Sequence, residues 1–205
     1  MQARETILYS LKSCRFSLSK TMTDFELNIL NFIAEKLSCP FLDKVMPVIT
    51  VFGDHGIFWV ALSLVFLIFK KTRPLGLSMV ISIVLGYICG NIIVKNIVSR
   101  ARPYEYNSEI KLLINKLSDY SFPSGHSLVS FEAATCIFIR YKKWGIAAII
   151  MAVAIAFSRL YLYVHFPSDV LAGMVFGIIF GIIGSLIVNK IYKKKNTLSK
   201  KSILG

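Results

Sequence analysis

Two histidines, an aspartate and a set of cations sit where an otherwise apolar chain has no reason to carry them. Lys95, Arg100 and Arg102 end one long apolar run, and Pro123-Ser124-Gly125-His126 opens another. Ser158-Arg159 closes a third, and His165 and Asp169 straddle the entry to the last. Ionisable groups at membrane depth are costly, so several gathered at one level form a site hypothesis. On a continuous helix Lys95 and Arg102 would lie two turns apart, about 10 Å along the axis, facing the same way. Ser124 and Gly125 precede a helix whose first backbone N–H groups are free, an anion-binding arrangement. The spacing of four between His165 and Asp169 lets the carboxylate accept a hydrogen bond from one imidazole nitrogen and leave the other as a lone pair. Together these groups suit a phosphate with three charged oxygens. A lone metal site would need three or four His, Cys or carboxylate ligands, and the whole chain has 3 His. No metal or other cofactor is expected.

These side chains need a scaffold, and composition says of which kind. Of the 205 residues 55% are hydrophobic and 17% charged, and mean hydropathy is +0.64; a soluble domain carries about 25% charged residues. The net charge of +13 comes from bases placed between apolar runs. A nucleic-acid binder would spread them over a soluble face, so that class is excluded. Aromatic and β-branched content excludes disorder. Cys89 and Cys136 lie inside apolar runs, Cys14 and Cys39 outside them, and no CxxC occurs, which excludes a disulfide framework.

In chain order, residues 1–23 form a polar basic tail without a cleavable signal sequence. Residues 24–37 alternate apolar and polar groups at helical spacing, predicting a helix in the membrane interface. Residues 41–52 are apolar but short: twelve helical residues rise about 18 Å against a hydrocarbon core of about 30 Å, a half-span or a tilted one. Stronger segments follow at 57–69, 75–98, 126–139, 144–164 and 170–191. They are continuous runs and not the alternating ten-residue stretches of a β-barrel. The expected fold is an all-α integral membrane protein, a helical bundle of five to six transmembrane segments with an N-terminal interfacial helix. Its membrane domain covers 24–192, and a Lys-rich tail covers 193–205. In a five-span arrangement the basic clusters at 70–73, 140–143 and 190–201 share one side, which their charge makes cytoplasmic. The long loop at 100–125 and the break at 165–167 then face the extracytoplasmic side of the plasma membrane. Five spans put the N-terminus on that outer side too, whereas a full span at 41–52 would put it inside.

Three spaced patterns carry a resemblance: Lys95 with Arg102-Pro103 (KxxxxxxRP), Pro123-Ser124-Gly125-His126 (PSGH), and Ser158-Arg159 with His165 and Asp169 (SRxxxxxHxxxD). They resemble the signatures of the type 2 phosphatidic acid phosphatase superfamily, which joins membrane lipid phosphate phosphatases, bacterial acid phosphatases and vanadium haloperoxidases. The resemblance covers about residues 24 to 192 and implies roles by position. His165 resembles the nucleophile that forms a phosphohistidine, oriented by Asp169. His126 resembles the general acid that protonates the leaving alkoxide or phosphate. Lys95, Arg102, Ser124, Gly125 and Arg159 resemble the phosphate cradle, and the family's phosphatases use no metal. Two departures stand out: many relatives carry a further N-terminal span, and Glu132 sits where an apolar or small residue is expected.

Ordinary readings stand beside these. His126 and His165 could be satisfied polar residues at an interface, but the cations and Asp169 at matching spacings favour a site. His55 fits no pattern and reads as a loop residue. Arg100 divides between phosphate contact and headgroup snorkelling. Tyr104, Tyr106, Tyr120, Tyr161 and Tyr163 read as interfacial aromatics. Gly173, Gly177 and Gly181 read as close helix packing, and Glu132 as a structural hydrogen-bonding group. The function expected is hydrolysis of a lipid phosphate or diphosphate: undecaprenyl diphosphate, phosphatidic acid or phosphatidylglycerophosphate. The partners are the phosphorylated lipid and membrane lipids, without nucleic acid. Phosphotransfer to another alcohol and a non-enzymatic transporter are the alternatives; a transporter would place its charges near the bilayer midplane.

Overall fold

In a computed structural model, residues 21–107 and 109–204 are described, with side chains through Lys194. Most of the basic N-terminal tail and the side chains that end the Lys-rich tail lie outside the described residues. The described chain is helical, with no strand among its residues. Helix α1 covers residues 21–32 and closes in a π-turn, Ile33–Leu37. Helix α2 (Pro40–Val51) and helix α3 (Ile57–Ile68) are two arms of one broken helix, joined by a 3-10 turn at Asp54–Gly56. Helix α4 (Arg73–Gly86) continues through a π-helix, Tyr87–Val94, into α5 (Lys95–Val98). A short α6 (Pro103–Tyr106) and a loop lead to α7 (Gly125–Arg140), α8 (Lys142–Tyr161) and α9 (Pro167–Leu204).

Among the described residues, length and apolarity let four helical stretches cross a membrane: Pro40–Ile68, Arg73–Tyr106, Lys142–Tyr161 and Pro167–Lys194. Their outer faces expose Val60, Leu64, Ile150, Val153, Val175, Ile179 and Leu186, as a lipid-facing surface must. Helix α7 is different. With 16 residues it is shorter, and it is buried on nearly every side from Ser127 to Ala134. It packs against α9, α8 and α4, so protein and not lipid surrounds it, and its many Ser and Ala residues suit that position. The apolar half-span at 41–52 resolves as the first arm of the broken α2–α3 helix. The last helix passes beyond residue 191, where the apolar run ends, because Lys favours helix as well as most apolar residues do.

Gly173, Gly177 and Gly181 do pack closely: a Cβ on Gly177 would stand 2.5 Å from the Leu128 carbonyl oxygen, and one on Gly173 2.6 Å from that of Ser124. This seam fixes α9 against the start of α7, and Ser124 N–H donates to the Asp169 carbonyl across it at 3.0 Å. Gly177→Leu should overpack the seam and destabilise the fold by about 1–3 kcal/mol, lowering the unfolding midpoint in detergent. Val175→Leu, on the lipid-facing side, should leave it unchanged. Equal midpoints for the two variants would refute the seam's role.

Candidate active site

Site residues are delivered where helices begin or break. Lys95 opens α5, and Ser99 then takes a left-handed conformation (φ 47°) that ends the helix. Arg102 therefore stands outside the helix, and the two-turn geometry expected for Lys95 and Arg102 does not hold. They converge all the same. Lys95 Nζ reaches Asp119 Oδ2 at 2.6 Å and Arg102 Nη2 reaches Asp119 Oδ1 at 2.5 Å, so both aim at one two-oxygen anion. Arg102 also donates to the Asp119 and Val164 carbonyls at 2.9 and 2.7 Å. Burial pushes the Asp119 carboxyl up, but the hydrogen bonds and charges of Lys95 and Arg102 outweigh it and hold the group at about 2.

Ser124 caps α7: its Oγ accepts from the Ser127 N–H and hydroxyl, and the Gly125 and His126 N–H groups remain at the free helix end. Arg159, in the last turn of α8, is 1% exposed; its Nη1 donates to Thr50, while Nε and Nη2 have no partner.

His165 precedes α9 and does not share a helix with Asp169. Its Nδ1 lies 3.7 Å from Asp169 Oδ2, with the Ser121 hydroxyl between them, 3.5 Å from Nδ1 and 2.5 Å from the carboxylate. Arg102 Nη1 stands 3.4 Å from His165 Nε2. A guanidinium only donates, so this contact assigns the lone pair to Nε2 and the proton to Nδ1. The remaining Asp169 contacts are the Phe166 N–H at 2.9 Å and Arg100 at 2.6 Å. Burial pushes the His165 imidazole down to about 3, with Arg102 and Arg159 adding to the effect and Asp169 opposing it.

His126, Lys95, Arg102, Gly125, Arg159 and His165 line one cavity of about 840 Å³, which continues past Ile83, Tyr87, Leu128 and Val129 to Glu132. Among the described residues no three His, Cys, Asp or Glu side chains gather as metal ligands would.

Other expectations change. Arg100 is not part of the cavity lining: it bridges Glu26 (2.5 Å) and Asp169 and lies 3.9 Å over the Phe166 ring. Tyr161 and Tyr163 are buried struts, donating to Asp43 at 2.6 Å and Asn31 at 2.7 Å, and they tie α2 and α1 to the site face. Glu132 is buried against Gly86, and its Oε1 makes no hydrogen bond. Sequence reasoning missed Glu26, Thr50, Asp54, Asp119 and Ser121. Only Asp54 had a local signal, a carboxylate in a Gly-x-x-Gly turn between apolar arms; it now meets His126 Nε2 at 2.7 Å.

The sequence profile of the PAP2 superfamily matches residues 75–193, more than half of the chain and all three motifs. The chain belongs to the PAP2 superfamily. It is 36% identical over 133 residues to an undecaprenyl-diphosphatase of Sulfolobus acidocaldarius, a match covering 64% of each chain and so less than two thirds of that relative's length. Among solved PAP2 structures, it resembles a transmembrane PAP2 type phosphatidylglycerolphosphate phosphatase from Bacillus subtilis with a TM-score of 0.68 and 25% identity, over 83% of this chain and 88% of that one. It also resembles Aquifex aeolicus LpxE with a TM-score of 0.64 and 29% identity, over 77% and 93%. Glu26, Thr50 and Asp54 lie outside the matched PAP2 segment.

The depressed His165 value carries a pH dependence of known sign. An unfolded histidine titrates near 6.5 and the folded one near 3, so below pH 6.5 the unfolded chain binds a proton that the folded chain refuses. Stability complete above 6.5 is then lost as pH falls through that window. Asp119 acts lower, between 3.8 and about 2. His165→Gln should reduce the fall in unfolding midpoint between pH 6.5 and 4. The wild-type slope persisting in that variant would contradict the assignment.

Proposed function

We propose that this chain is a membrane phosphatase that hydrolyses a lipid phosphate or diphosphate through a phosphohistidine on His165. The observation that carries the reading is Arg159, whose buried guanidinium keeps Nε and Nη2 unpaired beside the converging Lys95 and Arg102. A buried cation left unpaired is costly, and an anion of phosphate size resolves that cost. His165 Nε2 attacks phosphorus and forms a P–N bond, while the P–O bond to the lipid breaks and its electron pair leaves on oxygen. His126 gives that oxygen its proton. Water then attacks the phosphohistidine, His126 takes the water proton, the P–N bond breaks and phosphate departs. Lys95, Arg102, Arg159 and the free N–H groups at Ser124-Gly125 hold the equatorial oxygens, and Ser121 and Asp169 keep the proton on Nδ1. Fixed cations do the neutralising, so the reaction needs no metal.

The apolar extension of the cavity toward Leu128 and Val129 suits the first part of a lipid tail. The Sulfolobus relative makes undecaprenyl diphosphate the first substrate to test, ahead of phosphatidic acid and phosphatidylglycerophosphate. The basic turns support an extracytoplasmic site in the plasma membrane: Pro74, Arg140 and Asn189 meet around one small cavity at the end of the bundle away from the site.

His165→Ala should lower turnover by about 10³-fold or more while the protein still elutes as a folded species; a tenth of wild-type activity would remove it as nucleophile. EDTA should leave phosphate release intact, and vanadate, which adopts a trigonal bipyramid, should inhibit. Loss on chelation with recovery by added Mg²⁺ would overturn the metal-free reading. For sidedness, a cysteine at Asn115 in a chain freed of native cysteines should react with an impermeant maleimide in intact cells, and one at Lys71 only after lysis. The reverse pattern would place the site on the cytoplasmic face.

A further inference from the structure

The turn between the two arms of the broken helix presses directly on His126. Its Asp54 Oδ1 lies 2.7 Å from His126 Nε2, and a carboxylate only accepts, so Nε2 carries a proton. A Cβ on Gly53 would stand 2.5 Å from His126 Cδ2 and 2.9 Å from Ile155, so at this position only glycine lets the turn lie flat on the ring. The Cδ2–Nε2 edge thus faces the turn, and the opposite edge, with Nδ1, faces away from it. The turn holds an uncommon backbone to do this: His55 at φ 49° and Gly56 at φ 67° are both left-handed.

We propose that the Gly53–Gly56 turn is a positioning device for His126, with Asp54 the positioning residue that fixes its ring and stabilises the imidazolium from which Nδ1 gives its proton to the leaving group. This rests on the reading of His126 as proton donor. Nδ1–H transfers to the lipid oxygen as the P–O bond breaks, and the imidazole left behind keeps its Nε2 proton on Asp54. The other charged groups facing the pair are Arg159 and Arg102 across the cavity and His55 on the turn itself. All three are cations or become so on protonation, so among the described residues Asp54 is the anion in hydrogen-bonding contact with the ring.

The test uses the full chain in detergent, with kcat/KM for p-nitrophenyl phosphate, whose leaving group needs no proton, and n-octyl phosphate, whose alkoxide does. This quantity reads only the steps through leaving-group departure. Asp54→Asn, isosteric and uncharged, should lower kcat/KM for octyl phosphate on the order of 10²-fold and that for the nitrophenyl ester by less than about fivefold. Asp54→Glu should recover part of the loss, and Asp54→Asn should add nothing in a His126→Ala background. Gly53→Ala, which moves the ring without touching a charge, should show the same substrate selectivity. Equal losses of Asp54→Asn on both esters, with His126→Ala still selective, would overturn the role of Asp54 alone. A His126→Ala variant that slows both esters equally would overturn the proton-donor reading, and the proposal with it.

Discussion

Concentrated positive charge, kept from water at one end of an apolar bundle, is the constraint around which the site face is organised. Arg102 and Arg159 are each 1% exposed and Lys95 is 8% exposed. Such groups are strongly destabilising unless each finds a counter-charge or a full set of acceptors. The chain answers differently for each. Asp119 reaches Lys95 and Arg102 from the long loop. Glu26, on the N-terminal helix, and Asp169, on the last, share Arg100. Arg159, which lines the cavity, keeps two buried donors without a partner. Helix α1 is therefore more than an interfacial float: its buried Glu26 neutralises an arginine that also holds Asp169 beside His165.

Regular helices could not deliver these groups. Along an α-helix a spacing of four drifts by about 40°, so a stripe at that spacing leaves the cavity wall within two turns. Ile83, Tyr87, Asn91 and Lys95 follow that spacing and all line the cavity. The π-helix at Tyr87–Val94, with more residues per turn, turns the drift back. The left-handed Ser99 then frees Arg102 to turn inward, and starting α9 after His165 lets Asp169 cap the Phe166 N–H while it faces the imidazole.

This explains what the sequence made legible. Except at the end of the last helix, the apolar runs marked the helices within a few residues, because lipid-facing surfaces have to be continuous. The three motifs were readable because each is a short stretch at a helix end, where spacing alone implies proximity. Their partners were not. Glu26 meets Arg100 across 74 residues and Asp54 meets His126 across 72, distances over which only packing decides who meets whom. Extending helical periodicity through Lys95 and Arg102 failed because the π-helix and the left-handed residue both break it. Tyr161 and Tyr163 misled for a related reason: an amphipathic ring suits an interface, but Asp43 and Asn31 on the neighbouring helices offer buried acceptors.

The two histidines of the cavity differ in what their carboxylates are bound to. Asp169 is fully buried and already accepts from Arg100, Ser121 and the Phe166 N–H. Its charge is largely used, and what reaches His165 at 3.7 Å orients the ring more than it attracts a second proton. Arg102 beside Nε2 opposes that proton further, which leaves the lone pair a nucleophile requires. Asp54 is half-exposed and, among the described residues, has His126 as its one side-chain hydrogen-bonding partner. That single contact, through the Nε2 proton, fixes the orientation of the ring. One side-chain type thus meets two environments, set by what else each carboxylate is bound to, and the difference follows from a loop and a helix break rather than from the motifs themselves.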